Sequence, residues 1–210
     1  TVLDSTDPAQ ILNAVPKDLA KSIIIIGSKS GTTIETRSHF AFFIELFTQS
    51  NLSPTDHIVI ITDPNTPLAS TARNEGYKVI NANPDVGGRF SALSAFGLVP
   101  AALIGVDISV LLDDAQEALL TFNQENSPAS QIAALLFTGT EQIVNFCDLK
   151  SQTPGLSDWI EQLIAESTGK NQVGRLPVVI DSIGSEKDHL TIGFVDGDFD
   201  LVVHATLGEH

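Results

Sequence analysis

The 210-residue chain contains one cysteine, one tryptophan, one tyrosine and no methionine. A lone thiol, Cys147, cannot form an internal disulfide, which fits a reducing compartment and leads us to expect a cytoplasmic protein. Cys147 itself reads as a small buried hydrophobe. Basic residues are scarce as well: 11 Lys and Arg stand against 26 Asp and Glu, giving a net charge of −15 at pH 7. A nucleic-acid binder needs a basic face to displace counterions, so that class is excluded, and an anionic membrane surface is disfavoured for the same reason. No apolar run approaches the ~20 residues of a spanning helix, and there is no signal-peptide pattern. The missing Met at position 1 and the ending Leu207-Gly208-Glu209-His210 are expected to mark a piece of a longer polypeptide.

What is present is a 42% hydrophobic content, enough for a real core, and one dense hydroxyl-rich stretch. Ile23 to Ile26 read as a strand buried on both faces. Phe40, Phe43, Ile44 and Phe47 then recur at helical spacing. Between them lies Ser28-Lys29-Ser30-Gly31-Thr32-Thr33, a strand-to-helix turn. Amides at a helix N-terminus have no acceptor within the helix, and the helix dipole favours an anion there. Ser28, Ser30, Thr32 and Thr33 add hydroxyls, Lys29 adds charge, and Gly31 leaves room for a ligand at the backbone. The stretch reads as a phosphate cradle. The plainer alternative is an ordinary set of helix caps. Neither G-x-x-x-x-G-K-[ST] nor G-x-G-x-x-G is present.

Along the chain, Val2-Leu3-Asp4 is expected to be the tail of a strand and Pro8 to Leu19 a short helix. Strands are predicted at 22–27, His57–Thr62, Tyr77–Asn81, Gln142–Phe146, Leu176–Ile180, Leu190–Val195 and Leu201–Val203. Helices are predicted up to about Gln49, from Pro67 to about Asn74, through about Phe122, over Pro128–Thr138, and around Leu156, Trp159, Ile160, Leu163 and Ile164. Strands alternating with helices imply an α/β fold with a parallel sheet covered on both faces.

Two further stretches carry chemistry. In Asp85-Val86-Gly87-Gly88-Arg89-Phe90-Ser91 the paired glycines permit unusual backbone geometry and leave space beside an arginine that can fork onto an oxyanion. The alternative is a surface turn with a solvated Arg89. In Gln162-Leu163-Ile164-Ala165-Glu166-Ser167-Thr168-Gly169-Lys170, Glu166 sits on the last turn of a helix, where the dipole disfavours an anion. A carboxylate so placed would hold its proton more tightly, as suits a general base. The alternative is a solvated, frayed helix end. Gln162, one turn earlier, shares its face.

In order and separation these three stretches resemble the signature segments of the glucose-6-phosphate isomerase family. Gly97-Leu98-Val99-Pro100-Ala101-Ala102-Leu103 and the Ala-Glu-Ser-Thr-Gly-Lys form are most similar to the isomerase half of bifunctional transaldolase/glucose-6-phosphate isomerases. The resemblance implies sugar isomerase (SIS) domains, three-layer α/β/α sandwiches around a parallel sheet. It divides the chain into a phosphate-binding subdomain, 1–98, and a second subdomain, 99–210, both incomplete. It assigns Ser28, Lys29, Ser30 and Thr33 to the sugar phosphate, with Gln162 supporting that end. It makes Arg89 the stabiliser of an enediolate and Glu166 the base that moves a proton between C2 and C1. Gly31, Thr32, Gly87, Gly88 and Lys170 would support the site.

The resemblance implies no metal and no organic cofactor, and His39, His57, His189, His204 and His210 are scattered rather than clustered. The expected partners are a sugar phosphate and a second copy of the intact parent. A Gly-Gly-Ser loop upstream and a lysine near a Pro-Phe-Asn-Gln-Pro-like segment downstream are family features that this chain lacks. The family's ring-opening histidine, in a short motif downstream of the Glu-Ser-x-Gly-Lys stretch, is not assigned to a residue of this chain, and His189 and His204 read more plainly as solvated surface or ordinary strand positions. Turnover by the chain alone is therefore expected to be poor. Two other readings compete: a non-catalytic SIS module that senses a phosphosugar, and a structural α/β domain.

Overall fold

The computed structural model describes residues 1–122, 124, 127–148, 154–170, 173–181, 189–195 and 202–206. Leu201, expected to open the last strand, and the terminal run Leu207 to His210 lie outside the described residues. The chain forms two compact units, Thr1–Ser109 and Val110–His210. The sequence-based division at 98/99 falls within one helix, Ala95–Leu103.

The first unit carries α1 (Pro8–Ala14), β1 (Ile24–Gly27), α2 (Ile34–Gln49), α3 (Pro54–His57), β2 (Ile58–Thr62), α4 (Pro67–Asn74), β3 (Lys78–Asn81) and α5 (Ala95–Leu103). The strands form a parallel sheet in the order β1-β2-β3, with Ile26 opposite Ile60 and Ile60 opposite Val79. Side chains alternate between faces along a strand. Ile24, Ile26, Ile58, Ile60 and Val79 therefore share one face, packed with Phe40, Phe43 and Phe47 of α2 and Ala72 of α4. Each large side chain buried in this way contributes about 1.5–3 kcal/mol. On the other face Ile23, Val59, Lys78 and Ile80 meet Leu98, Val99, Ala102 and Leu103 of α5 across an apolar cavity of about 330 Å³. Helices thus lie on both faces, and the unit has the expected three layers.

Local chemistry explains most boundaries. Asp7 caps α1, its Oδ1 accepting from the Ala9 amide at 3.1 Å. Thr66 caps α4 in the same way on Ala69, also at 3.1 Å, and Pro67 occupies the first turn. Three expectations need correcting. Val2–Asp4 is not a strand. The first helix stops at Ala14, because Pro16 pushes Val15 to extended geometry, φ −62° and ψ 123°. The segment read as a turn at 51–54 continues into the single-turn helix α3. Farther on, Gly105 at φ +93° breaks the helical stretch into α5 and α6 (Ile108–Phe122).

The second unit carries α7 (Pro128–Thr138), β4 (Ile143–Cys147), α8 (Leu156–Ser167), β5 (Leu176–Val179), β6 (His189–Val195) and β7 (Val202–Thr206). Its sheet runs β5-β4-β6-β7, the first three strands parallel and β7 antiparallel to β6. Val144, Phe146, Leu190, Ile192 and Phe194 form its core, with Leu156, Ile160 and Ile164 of α8 packed on them. Cys147 is buried, as expected. Asp148 fixes the start of α8, its Oδ2 accepting from the amides of Gly155 at 2.9 Å and Ser157 at 3.2 Å. Among the described residues no helix is long and apolar enough to cross a membrane.

Candidate active site

All three strands of the first unit point the same way, so the turns that follow them share one edge of the sheet. In open α/β sheets this carboxyl edge is where ligands bind. Backbone hydrogen bonds continue past the strands and stitch the turns together. The Ser28 amide donates to Ile61 O at 3.0 Å, Asp63 N to Lys29 O at 3.2 Å, and Ala82 N to Thr62 O at 2.9 Å.

The hydroxyl-rich turn has an inner and an outer part. Ser28 is buried, 6% exposed, and its Oγ accepts from the Gly31 amide at 3.1 Å and lies 3.4 Å from Thr33 Oγ1. It holds the turn closed. Gly31 adopts φ +69°, and a Cβ there would lie 2.5 Å from Leu68 Cβ. Packing against α4 therefore already requires glycine here, before any ligand is considered. Ser30, Thr32 and Thr33 are exposed. Ser30 Oγ and Thr32 Oγ1 are 2.8 Å apart. Thr33 occupies the cap position of α2 without making a side-chain cap. The first amides of α2 thus lack both an intrahelical acceptor and that cap, next to three exposed hydroxyls.

Lys29 departs from expectation. Its ammonium donates to Asp63 Oδ2 at 2.6 Å, Pro84 O at 3.1 Å and Asn83 O at 3.3 Å. An ammonium has three protons, and all three have acceptors inside the protein. The charge read as belonging to the cradle is paired across to the turns after β2 and β3. Asp63, Asn83 and Pro84 were not singled out from the sequence. The strand register, which the structure supplies, explains the pairing: Gly27 pairs with Ile61, so residues 29 and 63 leave neighbouring strands at the same level.

The glycine-arginine loop lies on the same edge, after β3. Gly88 to Phe90 form a single 3₁₀ turn, closed by Phe90 N to Gly87 O at 3.0 Å and Ser91 N to Gly88 O at 3.1 Å. Gly87 has φ −61°, and neither Gly87 nor Gly88 takes positive φ. The unusual backbone expected of the pair is absent. A Cβ at Gly87 would lie 3.3 Å from the Phe90 ring, while one at Gly88 would meet nothing within 4 Å, so crowding bears on position 87 and not on 88. The Arg89 guanidinium is half-buried and stacks on Phe90, 4.7 Å from the ring centroid. Ser94 caps α5 through Phe96 N at 3.3 Å and donates to Ser91 O at 2.7 Å, fixing the loop's exit.

In the second unit, α8 returns from the end of β4 to the start of β5. Its last turn therefore lies at the amino edge of that sheet. Glu166 and Gln162 are both exposed, and Gln162 Nε2 donates to Glu166 Oε1 at 3.0 Å, so they do share a face. Gly169, at φ +79°, follows the helix, and Lys170 is exposed. His189 opens β6 opposite Ile143, at the same amino edge; its Nδ1 lies 3.3 Å from Nδ2 of the buried Asn145.

No family model matches the chain. Among curated proteins it is 33% identical over 196 residues to a probable glucose-6-phosphate isomerase of Haloquadratum walsbyi, covering 90% of this chain and 45% of that protein. It is 32% identical over 209 residues to the glucose-6-phosphate isomerase of Methanocaldococcus jannaschii, covering 96% and 51%. Among solved structures, a hypothetical protein of Thermus thermophilus matches at a TM-score of 0.78 with 30% identity, over 90% of this chain and 51% of that one. A glucose-6-phosphate isomerase of Chlamydia trachomatis matches at 0.62 with 23% identity, over 81% and 36%, and shares the fold. The chain is thus similar along nearly all its length to proteins named glucose-6-phosphate isomerase, and it spans about half the length of the curated relatives it matches.

Proposed function

We propose that this chain is the central part of a glucose-6-phosphate isomerase built from two sugar isomerase (SIS) subdomains. The observation that carries the reading is the open N-terminus of α2, ringed by Ser30, Thr32 and Thr33, on the same sheet edge as the loop bearing Arg89. A phosphate accepts from the free amides and hydroxyls there, and its binding energy holds the open-chain sugar in place for reaction. Glu166 removes the proton from C2, the C–H electrons form the C1–C2 double bond of the enediolate as the carbonyl electrons move onto O1, the hydroxyl proton passes from O2 to O1, and the carbon proton returns to C1 to give the ketose. Arg89 stabilises the negative oxygen, and such stabilisation often lowers the barrier more than the proton transfer does. Ser28 shapes the cradle from inside, and Gln162 orients Glu166. Names of relatives over nearly the whole chain support this reading over a sensor module. The Ala-Glu-Ser-Thr-Gly-Lys form supports a parent fused to transaldolase, and the single buried thiol fits a cytoplasmic one. The active parent is read as a homodimer.

The test has two arms. On this chain, Ser30→Ala with Thr33→Ala should weaken 6-phosphogluconate binding, followed by calorimetry, by about tenfold or more, the loss expected for hydrogen bonds to a charged group. Unchanged affinity removes the cradle. In the intact parent, Glu166→Gln should lower turnover by ~10²–10⁴-fold while sparing 6-phosphogluconate affinity. Retained turnover removes the base.

A further inference from the structure

We infer that Lys29 and Asp63 form a clamp that sets where the Arg89 loop leaves the sheet, and that Lys29 is a positioning residue rather than a phosphate ligand. The inference rests on the isomerase reading for its functional consequence, though not for its geometry.

Residue 29 is bonded at both ends. Its carbonyl accepts from Asp63 N and from Thr62 Oγ1, each at 3.2 Å. Its ammonium reaches Asp63 Oδ2 and the carbonyls of Asn83 and Pro84. One side chain thus joins the exits of all three strands. Asn83 and Pro84 open the Arg89 loop: Asn83 O accepts from Val86 N at 3.3 Å, and Asn83 Oδ1 from Asp85 N at 2.9 Å. Pro84 has no amide of its own, so its carbonyl is the only backbone group through which it can be tied down.

Transfer of Lys29 to a bound phosphate is disfavoured by what it would leave behind. The Lys29 and Asp63 side chains are 28% and 15% exposed, so the pair is shielded from solvent more than a surface ion pair. Asp63 Oδ1 is already buried without a hydrogen-bond partner among the described residues. Withdrawing the ammonium would strand a largely buried carboxylate with neither oxygen neutralised. The phosphate is left to the amides and hydroxyls of the cradle, and the clamp acts on substrate through the position of Arg89.

The experiment compares wild type, Lys29→Met, Asp63→Asn and the double variant of this chain. Amide exchange is measured without ligand, and binding of inorganic phosphate and of 6-phosphogluconate with it. In each variant the amides of Val86, Phe90 and Ser91 should exchange about tenfold faster, as expected on losing a charge-assisted hydrogen bond, while those of β2 stay protected. Unchanged exchange at 86–91 overturns the clamp, whatever binds. Affinity for 6-phosphogluconate should fall in both single variants and no further in the double, with inorganic phosphate nearly unaffected. An equal loss for both ligands in Lys29→Met, with Asp63→Asn tightening phosphate, overturns the inference in favour of direct contact. If wild type binds neither ligand, the isomerase reading falls, and the exchange measurement alone decides whether the pair holds the loop.

Discussion

Gly31→Ala tests the packing of the cradle directly. Gly31 has φ +69°, and the added methyl would sit 2.5 Å from Leu68 Cβ, closer than side-chain carbons approach one another in folded proteins. Left-handed backbone costs a residue with a Cβ about 1–2 kcal/mol. Forcing a methyl into a filled space adds about 1–3 kcal/mol through backbone shifts. Together the expected loss is roughly 2–5 kcal/mol, a large fraction of the ~5–15 kcal/mol that usually holds a domain together. The clashing atom is a Cβ, so Leu68→Ala, which keeps its own Cβ, should not rescue the variant. Urea unfolding followed at Tyr77 reports the first unit, because this is the chain's one tyrosine; Trp159, the one tryptophan, reports the second. The Tyr77 transition should move to lower urea. A loss under ~1 kcal/mol, or full rescue by Leu68→Ala, would refute the assigned contact.

Two further predictions follow from the first unit's core. Burial, and secondarily the Glu75 carboxylate, raise the Tyr77 phenol above its ordinary value of 10.0. The folded state therefore keeps the proton longer than the unfolded one. This contribution to stability is fully present below pH 10 and is lost as pH rises through the folded value. Phenolate absorbance should titrate with a midpoint above 10, and a midpoint at or below 10 would contradict the burial argument. Phe47 is fully buried and stacks on His57, with ring centroids 4.8 Å apart and planes at 10°. Phe47→Ala should cost about 3–5 kcal/mol in chemical unfolding, and less than ~1 kcal/mol would mean the site collapses without a cavity.

Much of the fold could be read from local pattern, because the signals are local. The run Ile23 to Ile26, the Thr66-Pro67 start of α4 and the spacing of Leu156, Ile160 and Ile164 each identify their element without reference to the rest of the chain. β1 to β4 begin one or two residues later than expected and β6 begins one earlier; α3 was missed, because four residues are too few to show a period. At the site, the hydroxyls and Arg89 were legible as residue types. The partner of Lys29 was not, since it depends on a strand pairing between segments more than thirty residues apart. The reasons for the glycines were also misjudged in part. Gly31 answers to a neighbour on α4, and Gly87 to the Phe90 ring, neither of which adjacent sequence announces.

The Lys29–Asp63 pair has one consequence for the solution behaviour of the cradle. Because the pair neutralises itself, a phosphate held in the cradle as proposed would be attracted there by dipoles and uncharged donors, whereas the 210-residue chain carries −15 overall. Formal charges are screened within about 8–10 Å at ordinary ionic strength, while short-range dipolar contacts are not. Added salt should therefore damp the long-range repulsion of an incoming anion more than it weakens the grip, so phosphosugar capture would hold steady or improve in concentrated electrolyte.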